Sequence, residues 1–270
     1  MNNYYRIIKM PTSIKNKIKN LRKLYSSLLF NISRKERSNN AKIKELHNKY
    51  AGKRCFIICN GPSLKAEDLE KICKNNEYSF ASNKIDKIFP QTKWRPSFYT
   101  VVDETYQYSL VNAINKIPAD IKFFRKNSYC ATRKIKGNVI WFNANGDRAL
   151  LDNPKFSDDI KNVVYTIATV TYVMIEIAAY MGFHELYIIG CDNSYGLERK
   201  KDGTIVNNRT ESYFAGSNPD DKKLVGSTWE MNIAYEYARK YADTHGIKIY
   251  NATRGGHLEA FERVNFDSLF

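Results

Sequence analysis

Two stretches of this chain constrain its fold more than any other feature. Arg54-Cys-Phe-Ile-Ile-Cys-Asn60 and Glu185-Leu-Tyr-Ile-Ile-Gly190 are short, nearly unbroken apolar runs that give way at once to polar or turn-forming residues. A strand with one wet face alternates apolar and polar side chains. An unbroken run of this length fits a strand covered on both faces, as in parallel sheets flanked by helices. Tyr78 to Asn83, Ser97 to Asp103, Ile121 to Phe124, Asn138 to Asn143 and Ile247 to Asn251 read as further strands. Ala66 to Lys74, Val170 to Met181 and Trp229 to His245 read as helices, the second apolar on nearly every side and so expected against the sheet. Strands alternating with helices predict an α/β fold with an open, mostly parallel, doubly wound, Rossmann-like sheet.

A chain of 270 residues holds one such domain, because a single core stops growing near about 250–300 residues. The expected division is an arm and linker over residues 1–50 and one domain over 51–270. Within the latter, a polar stretch at about 193–225 is too long for an ordinary connector and reads as a lid. Charge divides at the same boundary. Residues 1–50 carry 13 Lys and Arg against Glu36 and Glu45, so most of the net charge of +15 sits on the arm and the body is nearly balanced. Ile14, Ile18, Leu21, Tyr25 and Leu28 recur at helical spacing, with Lys15, Lys17, Lys19, Arg22 and Lys23 mostly off that stripe. Such a helix over residues 14–28 suits an anionic membrane surface, or packs on the domain or a second subunit. Ser33 to Asn48 reads as linker or solvated helix. Nucleic-acid binding through the arm is the reading that the balanced body and the lack of a recognised motif disfavour.

The five cysteines, at 55, 59, 73, 130 and 191, show no CxxC spacing. They read as buried thiols in a reducing compartment, not as a disulfide framework or a metal site. No stretch approaches the roughly 20 apolar residues of a membrane span, and the N-terminus lacks a signal-peptide pattern, so a cytoplasmic location is expected, with peripheral attachment to the inner face of the membrane through the arm.

Ligands of open parallel sheets bind beyond the carboxyl ends of the strands. Asn60, Gly61 and Ser63 follow the first strand, Asn83 the second, Asp103 the third, and Asp192 the strand at 185–190. Gly61 lets a ligand approach the backbone, Pro62 sets the turn, and Ser63 is placed to cap the following helix, whose N–H groups suit a phosphate. The turn is neither GxxxxGK[ST] nor GxGxxG, which argues against an ATP-binding loop of the first kind and a dinucleotide fold of the second. No His, Asp or Glu spacing marks a metal site; Asp103-Glu104 reads as a helix cap or as a Mg²⁺ ligand pair.

Phe56-Ile-Ile-Cys-Asn-Gly-Pro-Ser-Leu-Lys65, with the buried helix leading into Gly182-Phe-His-Glu-Leu-Tyr-Ile-Ile-Gly-Cys-Asp192, resembles the bacterial sialyltransferases of glycosyltransferase family 42. It is similar also to polysaccharide-cluster proteins related to 6-hydroxymethylpterin diphosphokinases, which Asn251-Ala-Thr-Arg-Gly-Gly-His257 matches better. The resemblance spans residues 53–262. It implies transfer of a sugar, sialic acid or a related acidic sugar, from a CMP-activated donor to a glycan or lipid-linked glycan acceptor. It assigns Asn60, Gly61, Pro62, Ser63, Asn83 and Asp192 to the nucleotide, with Thr169 near the base and Asp103 at the rim. Tyr195 and Tyr213 are the counterparts of two tyrosines that stabilise the departing phosphate. The sialyltransferase resemblance implies no cofactor; the diphosphokinase one implies pyrophosphoryl transfer from ATP to a hydroxymethyl group with Mg²⁺.

One departure stands out. Those sialyltransferases carry a His general base shortly after the second tyrosine, where this chain reads Glu211-Ser-Tyr-Phe-Ala-Gly-Ser217. An acceptor hydroxyl must lose its proton as it attacks, so the base comes from elsewhere. His257, just after a Gly-Gly turn, is the candidate, with Arg254 three residues earlier to neutralise an anion; Asp103 and Glu211 are alternatives.

Overall fold

A computed structural model describes residues 11–33, 35–103, 106–107, 111–214 and 225–270. Strands β1 (Arg54–Ile58), β2 (Tyr78–Ser82), β3 (Phe98–Thr100), β4 (Ile121–Arg125) and β5 (Val139–Phe142) run outward across the sheet in chain order. The chain then returns through the short pair β6 (Ala144–Asn145) and β7 (Val164–Tyr165) to β8 (Glu185–Ile189), which lies on the other side of β1. A three-stranded excursion follows, formed by β9 (Leu197–Arg199), β10 (Ile205–Asn207) and β11 (Val225–Gly226). β12 (Lys248–Asn251) and β13 (Glu262–Arg263) complete the main sheet. Its order is β13-β12-β8-β1-β2-β3-β4-β5 and every pairing is parallel. This is the Rossmann-like, doubly wound fold that the unbroken apolar runs predict. The order reverses between β1 and β8, which is the switch point where a crevice opens.

The helices are α1 (Thr12–Ile32), α2 (Glu36–Leu46), α3 (Ala66–Lys74), α4 (Val111–Lys116), α5 (Tyr129–Thr132), α6 (Val170–Tyr180) and α7 (Thr228–Thr244). Successive strand residues point to opposite faces, and β1 feeds two separate cores accordingly. Cys55 and Ile57 pack with α6, α7 and Ile43 and Leu46 of α2. Phe56 and Ile58 pack with Leu69 and Ile72 of α3, Ile114 of α4 and Phe30 of α1. In α6, Val173, Met174, Ile175 and Ile177 are fully buried, each contributing roughly 1.5–3 kcal/mol of apolar transfer free energy.

The N-terminal region is built into this body more than its polarity predicts. The stretch read as linker or solvated helix forms α2, whose Asn39, Ile43 and Leu46 are buried. The Asn39 side-chain amide replaces a strand neighbour on β5: its Nδ2 donates to Trp141 O at 2.8 Å and its Oδ1 accepts from Trp141 N at 2.8 Å. α1 turns Phe30 into the body, edge-on to Tyr129 at 5.2 Å between ring centroids, and Ser26 Oγ accepts from Cys130 N. Of the apolar stripe, Ile14, Leu21, Tyr25 and Leu28 are exposed, as are Leu24 and Ile32, whereas Ile18 is half-buried, so most of this face is not packed on the domain. No helix among the described residues is long and apolar enough to cross a membrane. Of the cysteines, 55, 59 and 191 are buried, whereas Cys73 is exposed and Cys130 half-buried, against the expectation that all five are interior; all are free thiols.

Candidate functional site

The crevice at the switch point is built where β1 and β8 end. Gly61 N donates to Gly190 O at 2.7 Å, holding the two strand ends together past the last paired residues. Ser63 then turns toward β8: both its backbone N, at 3.1 Å, and its hydroxyl, at 2.8 Å, donate to Asp192 Oδ2. Ser63 therefore does not cap α3, whose N-cap position is taken by Lys65 with no side-chain bond. Gly61 is dictated by this junction, because a Cβ there would lie 2.0 Å from Asp192 Oδ2 and 2.6 Å from Gly190 O. Gly190 is constrained twice, by φ of +67° and by a Cβ position 2.8 Å from Cys59 O.

Asn60 is 8% exposed. Its Nδ2 donates to Ser82 O at 3.1 Å, tying the β1 and β2 ends, while its buried Oδ1 has no protein partner. A buried amide oxygen left without a donor costs about 1–3 kcal/mol, so the position suits a ligand N–H or O–H. Asn83 stands beside it with φ of +55°, its backbone N donating to Thr100 O and its carbonyl accepting from the Tyr99 hydroxyl at 2.5 Å. Ala168 and Asn193 also hold φ near +50°. Left-handed backbone at three non-glycine residues around one crevice is strain of the kind concentrated at ligand sites. Thr169 caps α6, Oγ1 accepting from Thr171 N at 3.2 Å, so the positive end of that buried helix opens into the same space.

Asn60, Gly61, Asn83, Thr169, Asp192, Tyr195 and Tyr213 line one small inner cavity of about 70 Å³. Burial raises the Tyr195 hydroxyl above its ordinary range, with the buried thiols and Asp192 adding to the effect, so this phenol is a proton donor at neutral pH. Phe214 N donates to Asn60 O at 3.0 Å, which seats residues 212–214 over the turn. The inner cavity opens into a larger cleft of about 1280 Å³ that shares Asn83, Thr169, Tyr195 and Tyr213 and adds Asp103, Tyr106 and Arg125. Asp103 Oδ1 accepts from Tyr106 N at 2.9 Å, as a helix cap does; Glu104 and Ser217 lie outside the described residues, as does the part of the expected lid at 215–224.

Five sequence-derived candidates line neither cavity: Ser63, which is held on Asp192, the exposed Glu211, and Pro62, Arg254 and His257. Pro62 shapes the turn without lining either cavity. Arg254 is engaged on the far side of α3: Nε and Nη2 donate to the two carboxylate oxygens of buried Asp68 at 2.9 and 2.8 Å, and Nη1 and Nη2 donate to Asp267 at 2.8 Å. Those carboxylates raise its pKa further. His257 is exposed, lines neither cavity, and touches the site through its backbone N, which donates to Asp192 O at 2.8 Å. Conversely, the sequence reading missed the cleft's outer wall, Lys15, Lys19, Arg22 and Lys23 of α1. Their spacing of four, three and one marks one helical face, yet nothing local says what that face meets. Among the described residues no group of three His, Cys, Asp or Glu is placed to hold a metal ion.

Fold and site together define a doubly wound α/β protein with a polar, amide-lined crevice at its switch point and a cationic outer wall. Within that class the chain belongs to the MptE-like family, described as 6-hydroxymethylpterin diphosphokinase MptE-like, whose family model matches residues 27–198. Among solved structures it is similar to the MAf glycosyltransferase from Magnetospirillum magneticum, with 15% identity and a TM-score of 0.53 over 87% of this chain. That likeness is one of fold, and the chain spans 39% of that enzyme's length. A UDP-glucose 4-epimerase from Thermotoga maritima also matches, at 8% identity and a TM-score of 0.28, covering 73% of this chain and 54% of that one. No curated protein matches the chain.

Proposed function

We propose that this protein is a glycosyltransferase that moves an acidic sugar, sialic acid or a related one, from a CMP-activated donor to a glycan acceptor. The observation that carries the reading is the unpartnered, buried Oδ1 of Asn60 at the switch point, beside Asn83 and the N-terminus of α6. An amide oxygen there suits the N–H or hydroxyl of a nucleoside, and the helix end suits its phosphate. The resemblance of the Asn60-Gly61-Pro62-Ser63 turn to sialyltransferases and the fold shared with a glycosyltransferase support the same class.

In the proposed reaction the acceptor oxygen bonds to the anomeric carbon as the bond from that carbon to the phosphate oxygen breaks, and CMP leaves with the electron pair. Tyr195 and Tyr213 donate to the leaving phosphate. Asp103, the carboxylate in the described lining of the outer cleft, takes the acceptor proton. The exposed apolar stripe of α1 supports work at the cytoplasmic face of a membrane on a lipid-linked acceptor. Co-sedimentation with phosphatidylglycerol vesicles, expected for the native chain and lost in Leu21→Ser/Leu24→Ser, tests that location.

Family membership favours one other reading, Mg²⁺-dependent pyrophosphoryl transfer from ATP to a hydroxymethyl group. Thermal shift with CMP, CDP, UDP, GDP and ATP, each with and without Mg²⁺, separates the two. Stabilisation by CMP or CDP without metal is the expected result, and stabilisation by ATP with Mg²⁺ alone would sink the glycosyltransferase reading.

A further inference from the structure

The outer cleft is far larger than its inner cavity, about 1280 against 70 Å³, and exceeds what one small ligand needs. Its charge is lopsided. Lys15, Lys19, Arg22 and Lys23 line it from α1 and Arg125 from the end of β4, against Asp103 as the one carboxylate among the described lining residues. Lys15, Lys19 and Arg22 form no ion pair with a described residue, so the wall they form is uncompensated there.

This wall is held in position. Phe30 at the other end of α1 is fully buried between Tyr129 and Trp141, with centroids at 5.2 and 5.7 Å. Lys126 Nζ sits 5.3 Å from the Phe30 ring centroid and pairs with Glu36 at 3.0 Å, joining the start of α2 to the same cluster. From this anchor α1 runs back to Lys15 at about 1.5 Å per residue, carrying Arg22, Lys19 and Lys15 along the cleft. Arg125, next to the Lys126–Thr132 segment on which α1 packs, is aimed by its own bonds: Nη1 donates to Val102 O at 2.9 Å and Nε to Asn127 Oδ1 at 3.0 Å.

We propose that the inner face of α1, through Lys15, Lys19 and Arg22, forms a second anion-binding subsite in the outer cleft that holds the acceptor by a phosphate or carboxylate group. The inference rests on the transferase reading for the word acceptor, and on the cleft alone for the anion. The inner cavity takes the donor nucleotide with amides, hydroxyls, phenols and the Asp192 carboxylate and holds no cationic side chain among its described lining, whereas cations gather at the mouth, where a second and larger substrate enters. Several like charges lining one cleft sum to a stronger local potential than scattered surface charges, and an Arg among them adds bidentate geometry for either oxyanion.

The test is binding of inorganic pyrophosphate and of trigalacturonate to the full chain, in the presence of saturating CMP, for the native protein and for Lys15→Gln/Lys19→Gln/Arg22→Gln. Pyrophosphate represents a lipid-linked phosphate and trigalacturonate an acidic glycan, so the arm that binds identifies the source. At least one probe should bind the native chain and lose about ten-fold or more in the variant, while CMP affinity stays within about two-fold. Lys17→Gln, an exposed cation that does not line the cleft, should leave all three affinities unchanged, and Lys19→Gln alone should weaken the probe if the triple variant does not fold. Equal binding of the probe to native and variant chains, no binding of either probe to the native chain, or a parallel loss of CMP affinity would each overturn the subsite. If CMP itself does not bind, the donor reading falls, and the same comparison without nucleotide still decides the subsite.

Discussion

The hydroxyl of Ser63 donates to Asp192 Oδ2 at 2.8 Å, across 129 residues of sequence. With the Ser63 backbone N on the same oxygen at 3.1 Å, one carboxylate fastens the first turn of the sheet to the end of β8. Gly61→Ala places a methyl where that oxygen lies, so it should cost about 1–3 kcal/mol of stability. Asp192→Ala should lose a similar amount, because hydrogen bonds to a charged group contribute about 1.5–3 kcal/mol. Thermal denaturation checks both; a Gly61→Ala chain as stable as the native one would contradict the junction described.

Asn60→Ala removes the unpartnered oxygen together with the tie to Ser82. Nucleotide affinity should fall about ten-fold or more, and Asn83→Ala should weaken it as well. Titration calorimetry with CMP reads this directly, and unchanged affinity in both variants removes them from the site.

Two of the candidate bases are separated by position. Asp103 lines the cleft and His257 does not. Asp103→Asn should lower kcat by about 10²–10⁴ with the donor still bound, and His257→Ala should turn over at a near-native rate. The reverse outcome would return the base to His257 and require the loop after β12 to move.

Arg254 offers a sharper contrast, because phosphate neutralisation and structural pairing predict different losses. Its guanidinium compensates Asp68, which is 5% exposed. Arg254→Ala should cost about 1–3 kcal/mol, below the figure for a fully buried pair since Arg254 and Asp267 remain partly in water. CMP affinity should not change in a chain that still folds; a loss of affinity with no loss of stability would restore the ligand role.

Glu176 lies fully buried in α6, with Ser157 N donating to Oε1 at 2.7 Å and Tyr165 N to Oε2 at 2.9 Å. Burial pushes its carboxyl well above the ordinary value of 4.5, and the two N–H donors only partly oppose this. The folded pKa therefore exceeds the unfolded one and protonation favours the fold. That contribution is whole below about pH 4.5 and fades as pH rises through the folded value. The Tm of the native chain relative to Glu176→Gln should fall as pH rises above about 4.5, and a pH-independent difference would show that the group stays in one state.

The main elements of the sheet were legible in the sequence because their signals are local. An unbroken apolar run specifies a strand covered on both faces, an apolar stretch on all sides specifies the interior helix α6, and Gly61 specifies a backbone that something approaches closely. What approaches Gly61 was not local: Asp192 belongs to the strand that returns beside β1, and only the crossover brings it there. The same holds for Arg254, three residues from a candidate base in sequence yet bound to Asp68, 186 residues away. It holds for α1, whose amphipathic period was plain while the cleft beside it was not. Periodicity encodes the conformation of a segment and the face it must cover. Which surface covers that face is decided when distant elements compete for the same contacts, a choice settled by packing and charge compensation across the whole sheet.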